Sequence, residues 1–226
     1  MLITKPAFAA ITALALVCPV RAIAQVGYPP KSSPYHDLHK GSSITFTGGY
    51  FMGNGGRAGV GPRDGYIVGG RFDLHASRPL QFGLGVEYGS LQRNIVDPTQ
   101  PPGSRVTGPV DQSVTFVEGL VTFNITGGKT WHGLAPFIEM ATGAAFGSST
   151  PADTSGYNFG TKGFFAPGGG LRFFLGDRFH IRAAARGNFW KLSYPPSYRT
   201  GAVPVTLDAS EWNLSPWFEF GLGFIL

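Results

Sequence analysis

Charge is scarce in this 226-residue chain. Asp, Glu, Lys and Arg together supply 14% of it, against about 25% in ordinary soluble domains, which is too little to solvate a conventional surface. Cysteine occurs once, as Cys18. That residue falls in an N-terminal stretch that export removes, so disulfides and thiolate-based metal or redox chemistry are excluded from what remains. The apolar run from Ala7 to Val20 stops short of the ~20 residues that a membrane-spanning helix needs, and no stop-transfer flank follows it. The formal charge of +5 comes with no basic run and no aromatic RNA-binding signature, which argues against nucleic acid as a partner.

Catalytic and metal motifs are scarce as well. There is no G-x-S-x-G elbow for a serine hydrolase. His36, His39, His75, His132 and His180 include no H-x-x-x-H or H-x-H ligand pair, so no metal and no cofactor is expected. The run Gly53-Asn54-Gly55-Gly56-Arg57 lacks the Lys-Ser/Thr ending of a phosphate loop and reads as a flexible external loop.

The N-terminus supplies an export route. Lys5 precedes the apolar run, and Ala22-Ile23-Ala24 fits a small-x-small cleavage site, so residues 1–24 read as a secretory signal peptide. Its removal takes Lys5 and Arg21 away and leaves sixteen basic against thirteen acidic residues, a net +3. Residues 25–41, with Pro29, Pro30 and Pro34, read as a short periplasmic lead-in, and 42–226 as the folded domain.

What the chain does have is glycine, 34 residues of it, aromatics at 14%, and strict alternation. Trp217 to Leu226 sets Phe218, Phe220, Leu222, Phe224 and Leu226 against Glu219, Gly221 and Gly223. A period of two puts the apolar set on one face of a strand, and about ten residues tilted by about 45° cross a bilayer. A lipid-facing strand cannot keep a free edge, since its unpaired N–H and C=O groups cost several kcal/mol each, so the strand implies a closed barrel. Seven further segments share the pattern: Ser43 to Tyr50, Tyr66 to Leu74, Leu80 to Tyr88, Thr115 to Ile125, Leu134 to Phe146, Phe165 to Leu175 and Phe179 to Phe189. Pro167 interrupts the sixth of these and requires a bulge or a frayed upper end there.

The links alternate in length. Met52 to Asp64, Gln92 to Val114, Gly147 to Lys162 and Leu192 to Ser215 are long, whereas those at Ala76-Ser77-Arg78-Pro79, Gly127-Gly128-Lys129-Thr130 and Gly176-Asp177 are short. Outer-membrane barrels show this arrangement, with short periplasmic turns and long external loops. A soluble barrel of the lipocalin kind would need a hydrated outer face. Here the less apolar face is mostly Gly and Ala with isolated charges, which suits a narrow interior. The expected fold is therefore all-β: a closed antiparallel eight-stranded transmembrane β-barrel.

Arg71, Glu87, Glu118, Glu139, Arg172, Arg182, Arg186 and Glu219 all belong to the inner face. Enclosed charges must pair or stay hydrated, so this set is either a structural lumen network or a gate for small solutes. Among the long links, Tyr194, Tyr198 and Arg199 combine two aromatics and a cation beside stiff prolines. They form either a recognition surface or a loop that resists proteolysis.

The signal peptide, stretches such as Pro136-Phe137-Ile138-Glu139 and Phe165 to Leu175, and the closing strand resemble the small eight-stranded bacterial outer-membrane barrels, the group that includes OmpA-like and OmpW-like proteins. The resemblance implies a Gram-negative cell envelope, contact with outer-membrane lipid and lipopolysaccharide, a monomeric state, and recognition of the C-terminal strand by the barrel-insertion machinery. Many members end in Phe or Trp, where this chain has Leu226. Relatives that trim lipid A carry a His-x-Ser pair on a strand, whereas His180 here is followed by Ile181 and Arg182. The expected role is non-enzymatic, structural or interaction-bearing, with a narrow pore as the first alternative and a lipid A-modifying enzyme as the second.

Overall fold

A computed structural model describes residues 32–38, 41–101, 103–199 and 207–226. The export segment with Cys18 and Ala24, most of the lead-in, and His39 lie outside the described residues. Ten strands follow one another: β1 (Tyr35–Asp37), β2 (Ser43–Asn54), β3 (Arg63–His75), β4 (Leu80–Val96), β5 (Val106–Asn124), β6 (Lys129–Trp131), β7 (Leu134–Gly147), β8 (Thr161–Leu175), β9 (Phe179–Ser193) and β10 (Ser210–Ile225). Eight of them close into an antiparallel barrel in the order β2-β3-β4-β5-β7-β8-β9-β10, with β10 returning to β2 from Trp217↔Phe51 to Ile225↔Ser43. β1 and β6 pair with each other at the short-turn end, where the Leu38 N–H donates to the Gly128 carbonyl at 2.9 Å.

Side-chain alternation sorts the two faces cleanly. Phe46, Leu84, Phe220 and Leu222 are 67–72% exposed, while Glu87, Glu118, Arg182 and Glu219 are 2–3% exposed. An apolar band that encircles the molecule exceeds what soluble monomers expose, and it has the composition of a wall facing hydrocarbon. Rings gather at its borders. Tyr50 and Tyr66 meet edge to face at 5.3 Å, and Phe165 stacks on Phe189 at 4.9 Å, all by the long loops. Phe179 and Phe224 meet at 5.2 Å by the short turns.

Two sequence expectations need correction. The link Gln92 to Val114 is mostly strand: β4 and β5 pair onward through Arg93↔Val110 and Val96↔Val106, with a register shift between Arg93 and Ile95 opposite Gly108-Pro109. That glycine and proline break the alternation and disguise the hairpin as a loop. Pro167 causes neither a bulge nor fraying. Pairing of β8 to β7 passes straight through Met140↔Pro167, and towards β9 it pauses after Phe165↔Phe189 and resumes at Gly168↔Arg186 in the same register. The amide nitrogen of a strand residue faces one neighbour only, so the missing donor is lost on one side.

Candidate functional site

The lumen is built in layers. Nearest the short turns, His180 Nε2 lies 3.4 Å from Thr45 Oγ1, Gln81 Nε2 lies 3.1 Å from His75 Nδ1, and Arg172 Nη2 donates to Asn124 Oδ1 at 2.7 Å. Glycine opposite the larger groups makes room for them: a Cβ at Gly223 would overlap the His180 ring, and one at Gly168 would overlap Arg186.

Above lies a continuous ionic chain. Arg71 binds Asp73 at 2.7 Å and Glu139 at 3.1 Å; Arg182 binds Glu139 at 2.5 Å and Glu219 at 2.8 Å. Arg186 then binds Glu118 at 2.7 Å and Glu87 at 3.0 Å and faces Glu219 at 3.8 Å. Seven of the eight charges singled out in the sequence are thus joined. Arg172 is the exception: among the described residues it has no carboxylate within ion-pair reach, and its guanidinium lies 5.2 Å from the centre of the Phe137 ring. Asp73 belongs to the network but was not singled out in the sequence, although its place two residues from Arg71 puts both on one face.

An aromatic layer caps the ions. Arg186 lies 3.8 Å over the Trp217 ring. Trp217 packs on Phe116 at 5.1 Å, Phe116 stacks parallel to Trp190 at 6.1 Å, and Phe51 and Phe159 approach Trp190 at 5.4 and 5.3 Å. All five rings are buried. Cavities of about 330 and 250 Å³ open at the short-turn end and one of about 260 Å³ beneath the long loops; between them side chains occupy the lumen.

No protein-family model and no curated protein sequence matches the chain. Among solved structures, Neisserial surface protein A is similar with a TM-score of 0.52 at 9% identity, over 86% of this chain and 98% of that one. OprG of Pseudomonas aeruginosa (TM-score 0.49, 11% identity, 86% of this chain, 99% of that one) and the N-terminal barrel domain of OprF of the same organism (0.44, 14%, 81% and 97%) are similar too. The fold is that of a small outer-membrane barrel.

The long-loop end of the barrel is pinned by polar contacts. Arg93 Nη2 binds Asp153 Oδ2 at 2.6 Å, both side chains almost fully buried. Burial works against the Asp153 carboxylate, but hydrogen bonds from the Ser155 hydroxyl and backbone and from Arg93 outweigh it and hold its pKa below the usual aspartate value. Burial pushes the Tyr157 and Tyr198 phenols up. Tyr198 donates to the Val96 carbonyl at 2.5 Å, and Tyr194 donates to Glu211 Oε1 at 2.7 Å, the carboxylate that also accepts from the Arg57 backbone N–H at 2.6 Å. Tyr194 and Tyr198 are 5% and 1% exposed, and their hydroxyls fasten the loops together. Only Arg199 of that trio faces solvent.

Among the described residues no group of three His, Cys, Asp or Glu is placed to hold a metal ion. His180 sits inside the lumen near the short turns, 3% exposed, and no serine hydroxyl bonds to it among the described contacts.

Proposed function

We propose that this chain is a non-enzymatic protein of the Gram-negative outer membrane, with a structural or surface-interaction role in the cell envelope. In this reading residues 1–24 direct export and are cleaved near Ala24, the insertion machinery reads the last strand, and the monomeric barrel sits among outer-membrane lipid with lipopolysaccharide around its long loops. One observation supports it above the others: the ionic chain ending at Arg186 and the aromatic layer beginning at Trp217 together close the lumen. An eight-stranded barrel has an interior just wide enough for its own side chains to fill.

Planar-bilayer recording of the refolded protein tests this. No stable discrete conductance is expected. Reproducible steps that change in Arg172→Ala or Glu118→Ala would favour the narrow pore, a reading supported by Arg172 lacking a carboxylate partner among the described residues. For the lipid-modifying alternative, lipid A mass spectra from cells with and without the protein are expected to be identical, and a lost or gained acyl chain would defeat the non-enzymatic reading.

A further inference from the structure

Towards the long loops the outer wall of the barrel is unevenly charged. On the β8 to β10 side Lys191 is exposed and points outward, directly across the ladder from Trp212, which is 63% exposed. Two residues further along the same face comes Ser193, opposite Ser210 on β10. Lys162, at the start of β8, donates through Nζ to the Ser193 hydroxyl at 3.4 Å. Among the described residues neither lysine has a carboxylate within ion-pair reach. Glu211 is turned instead to Tyr194 and the Arg57 backbone, and Asp208 is exposed in the loop that leads into β10. The β3 to β5 side differs: there the outward residues include the exposed acids Asp64 and Asp111, with Arg63 beside Asp64.

The lysines stand at the border of the apolar band. Phe165 stacks on Phe189 at 4.9 Å and meets Trp212 edge to face at 5.9 Å, and Leu214 lies opposite Phe189. Rings at such a border mark the level where head groups replace hydrocarbon. Ser193 lies about 6.6–7 Å from Lys191 along the strand, so an anion seated between them meets the Lys191 ammonium from one side and Lys162 with Ser193 from the other. An ammonium offers three donors and no acceptor, and the Ser193 hydroxyl, accepting from Lys162, keeps its own proton to donate. The cluster therefore presents donors and two positive charges, with apolar side chains directly below.

A phosphate monoester on a lipid fits this arrangement. It carries about −1.5 to −2 charges and three acceptor oxygens, enough for both ammonium groups and a hydroxyl, while the acyl chains attached to it run down over Phe165, Phe189 and Leu214. A free phosphate gains nothing from those side chains, and a phosphodiester carries less charge. We propose that Lys162, Lys191 and Ser193 form a clamp for a phosphate monoester of lipid A on the β8 to β10 side of the wall. The proposal rests on the reading above in taking the long-loop end as the outward one and lipopolysaccharide as the lipid around it. It gives that contact a place and named residues.

The test uses the full mature chain, refolded in detergent micelles, and native mass spectrometry, which counts bound lipid. Lipid A, dephosphorylated lipid A, phosphatidylglycerol and inorganic phosphate are added in turn. Lipid A is expected to stay on the barrel, with dephosphorylated lipid A and phosphatidylglycerol retained at least about tenfold less and inorganic phosphate not retained. Lys191→Gln is expected to weaken retention about tenfold, the loss of one charge-assisted hydrogen bond; Lys162→Gln acts likewise, and Lys191→Arg retains lipid A as the parent does. Lys129→Gln removes an exposed cation at the short-turn end and is expected to change nothing. Lys191 is exposed and Lys162 half-buried, so the variants keep the fold, which the heat-modifiable shift on gels verifies. The proposal is overturned if removing the phosphates leaves retention unchanged, if phosphatidylglycerol or inorganic phosphate binds as tightly as lipid A, if Lys191→Gln retains lipid A as the parent does, or if Lys129→Gln weakens retention as much as Lys191→Gln. Should lipid A fail to bind while bilayers still record no conductance, the clamp falls and the envelope role stands.

Discussion

Replacing Arg186 with Met removes the junction of the lumen network. Its guanidinium holds Glu118 at 2.7 Å and Glu87 at 3.0 Å, faces Glu219 at 3.8 Å, and all four side chains are 1–2% exposed. Glu219 keeps Arg182 at 2.8 Å, but Glu87 and Glu118 lose their one ion-pair partner among the described residues. Breaking a buried pair from one side costs about 3–5 kcal/mol because a charge is left uncompensated, and two stranded carboxylates put the variant at the upper end of that range. Methionine retains much of the volume, so cavity formation adds little. Urea unfolding in lipid vesicles, followed by tryptophan fluorescence and by the heat-modifiable shift on gels, measures the loss. Arg57→Met serves as the comparison: that side chain is 55% exposed and 4.0 Å from Glu211, a pair worth about 0–1 kcal/mol. A loss for Arg186→Met within the same small range would refute the argument. Adding Glu87→Gln and Glu118→Gln to Arg186→Met should recover most of the stability. If it recovers none, the damage comes from the lost contact with Trp217 and not from charge.

Leu84 is 70% exposed on the outer face, and Leu84→Arg should cost about 2–4 kcal/mol in lipid if it lies near the bilayer midplane; negligible loss would mean that the faces are reversed. Gly168→Ala should cost about 1–3 kcal/mol, because its Cβ would press on the Ala185 carbonyl and on Arg186, whereas Gly119→Ala, with open space at that position, should fall within about 0.5 kcal/mol of the parent. Equal effects in urea unfolding would contradict the close approach of β8 and β9. The Asp153 carboxylate is held below its usual pKa, so its contribution is complete above the unfolded value of about 3.9 and is lost as pH falls through the lower folded value. Protease resistance of the long loops should therefore be flat from pH 7 to about pH 5 and decline only below about pH 4. A decline centred near neutrality would refute that assignment.

The wall of the barrel was legible because lipid on one side and a narrow lumen on the other impose a period of two that nothing else in the chain obscures. Leu80 to Tyr88 carries that signal without a break. The extension of β4 and β5 was obscured because Gly108-Pro109 opposes a register shift and destroys the alternation there. The aromatic layer was obscured for a different reason. Phe164, Trp190 and Trp217 each neighbour an outward aromatic, Phe165, Phe189 and Phe218, so these stretches read as apolar on both faces, and such a run does not reveal its inner side by periodicity. Doubled aromatics on three adjacent strands, near the long-loop ends of β8 and β9 and midway along β10, were the available signal. The inward turn of Tyr194 and Tyr198 was not legible because composition marks a loop as external without saying which rings turn inward; only the partners, Glu211 and the Val96 carbonyl, show that.

The ionic chain also answers a question that the outer face leaves open. Sliding one strand past its neighbour by a single residue would turn apolar side chains inward and charges into lipid, so alternation alone forbids it. Sliding by two residues preserves both faces, and one lipid-facing Leu or Phe can replace another at little cost. That slip would carry each inner charge about 6.6–7 Å along the barrel, beyond ion-pair reach. Asp73 and Arg71 on β3, Glu87 on β4, Glu118 on β5, Glu139 on β7, Arg182 and Arg186 on β9 and Glu219 on β10 meet only in the observed register. In a wall whose outer contacts are nearly interchangeable, the buried charges select one alignment, which is the use for which buried ion pairs are best attested.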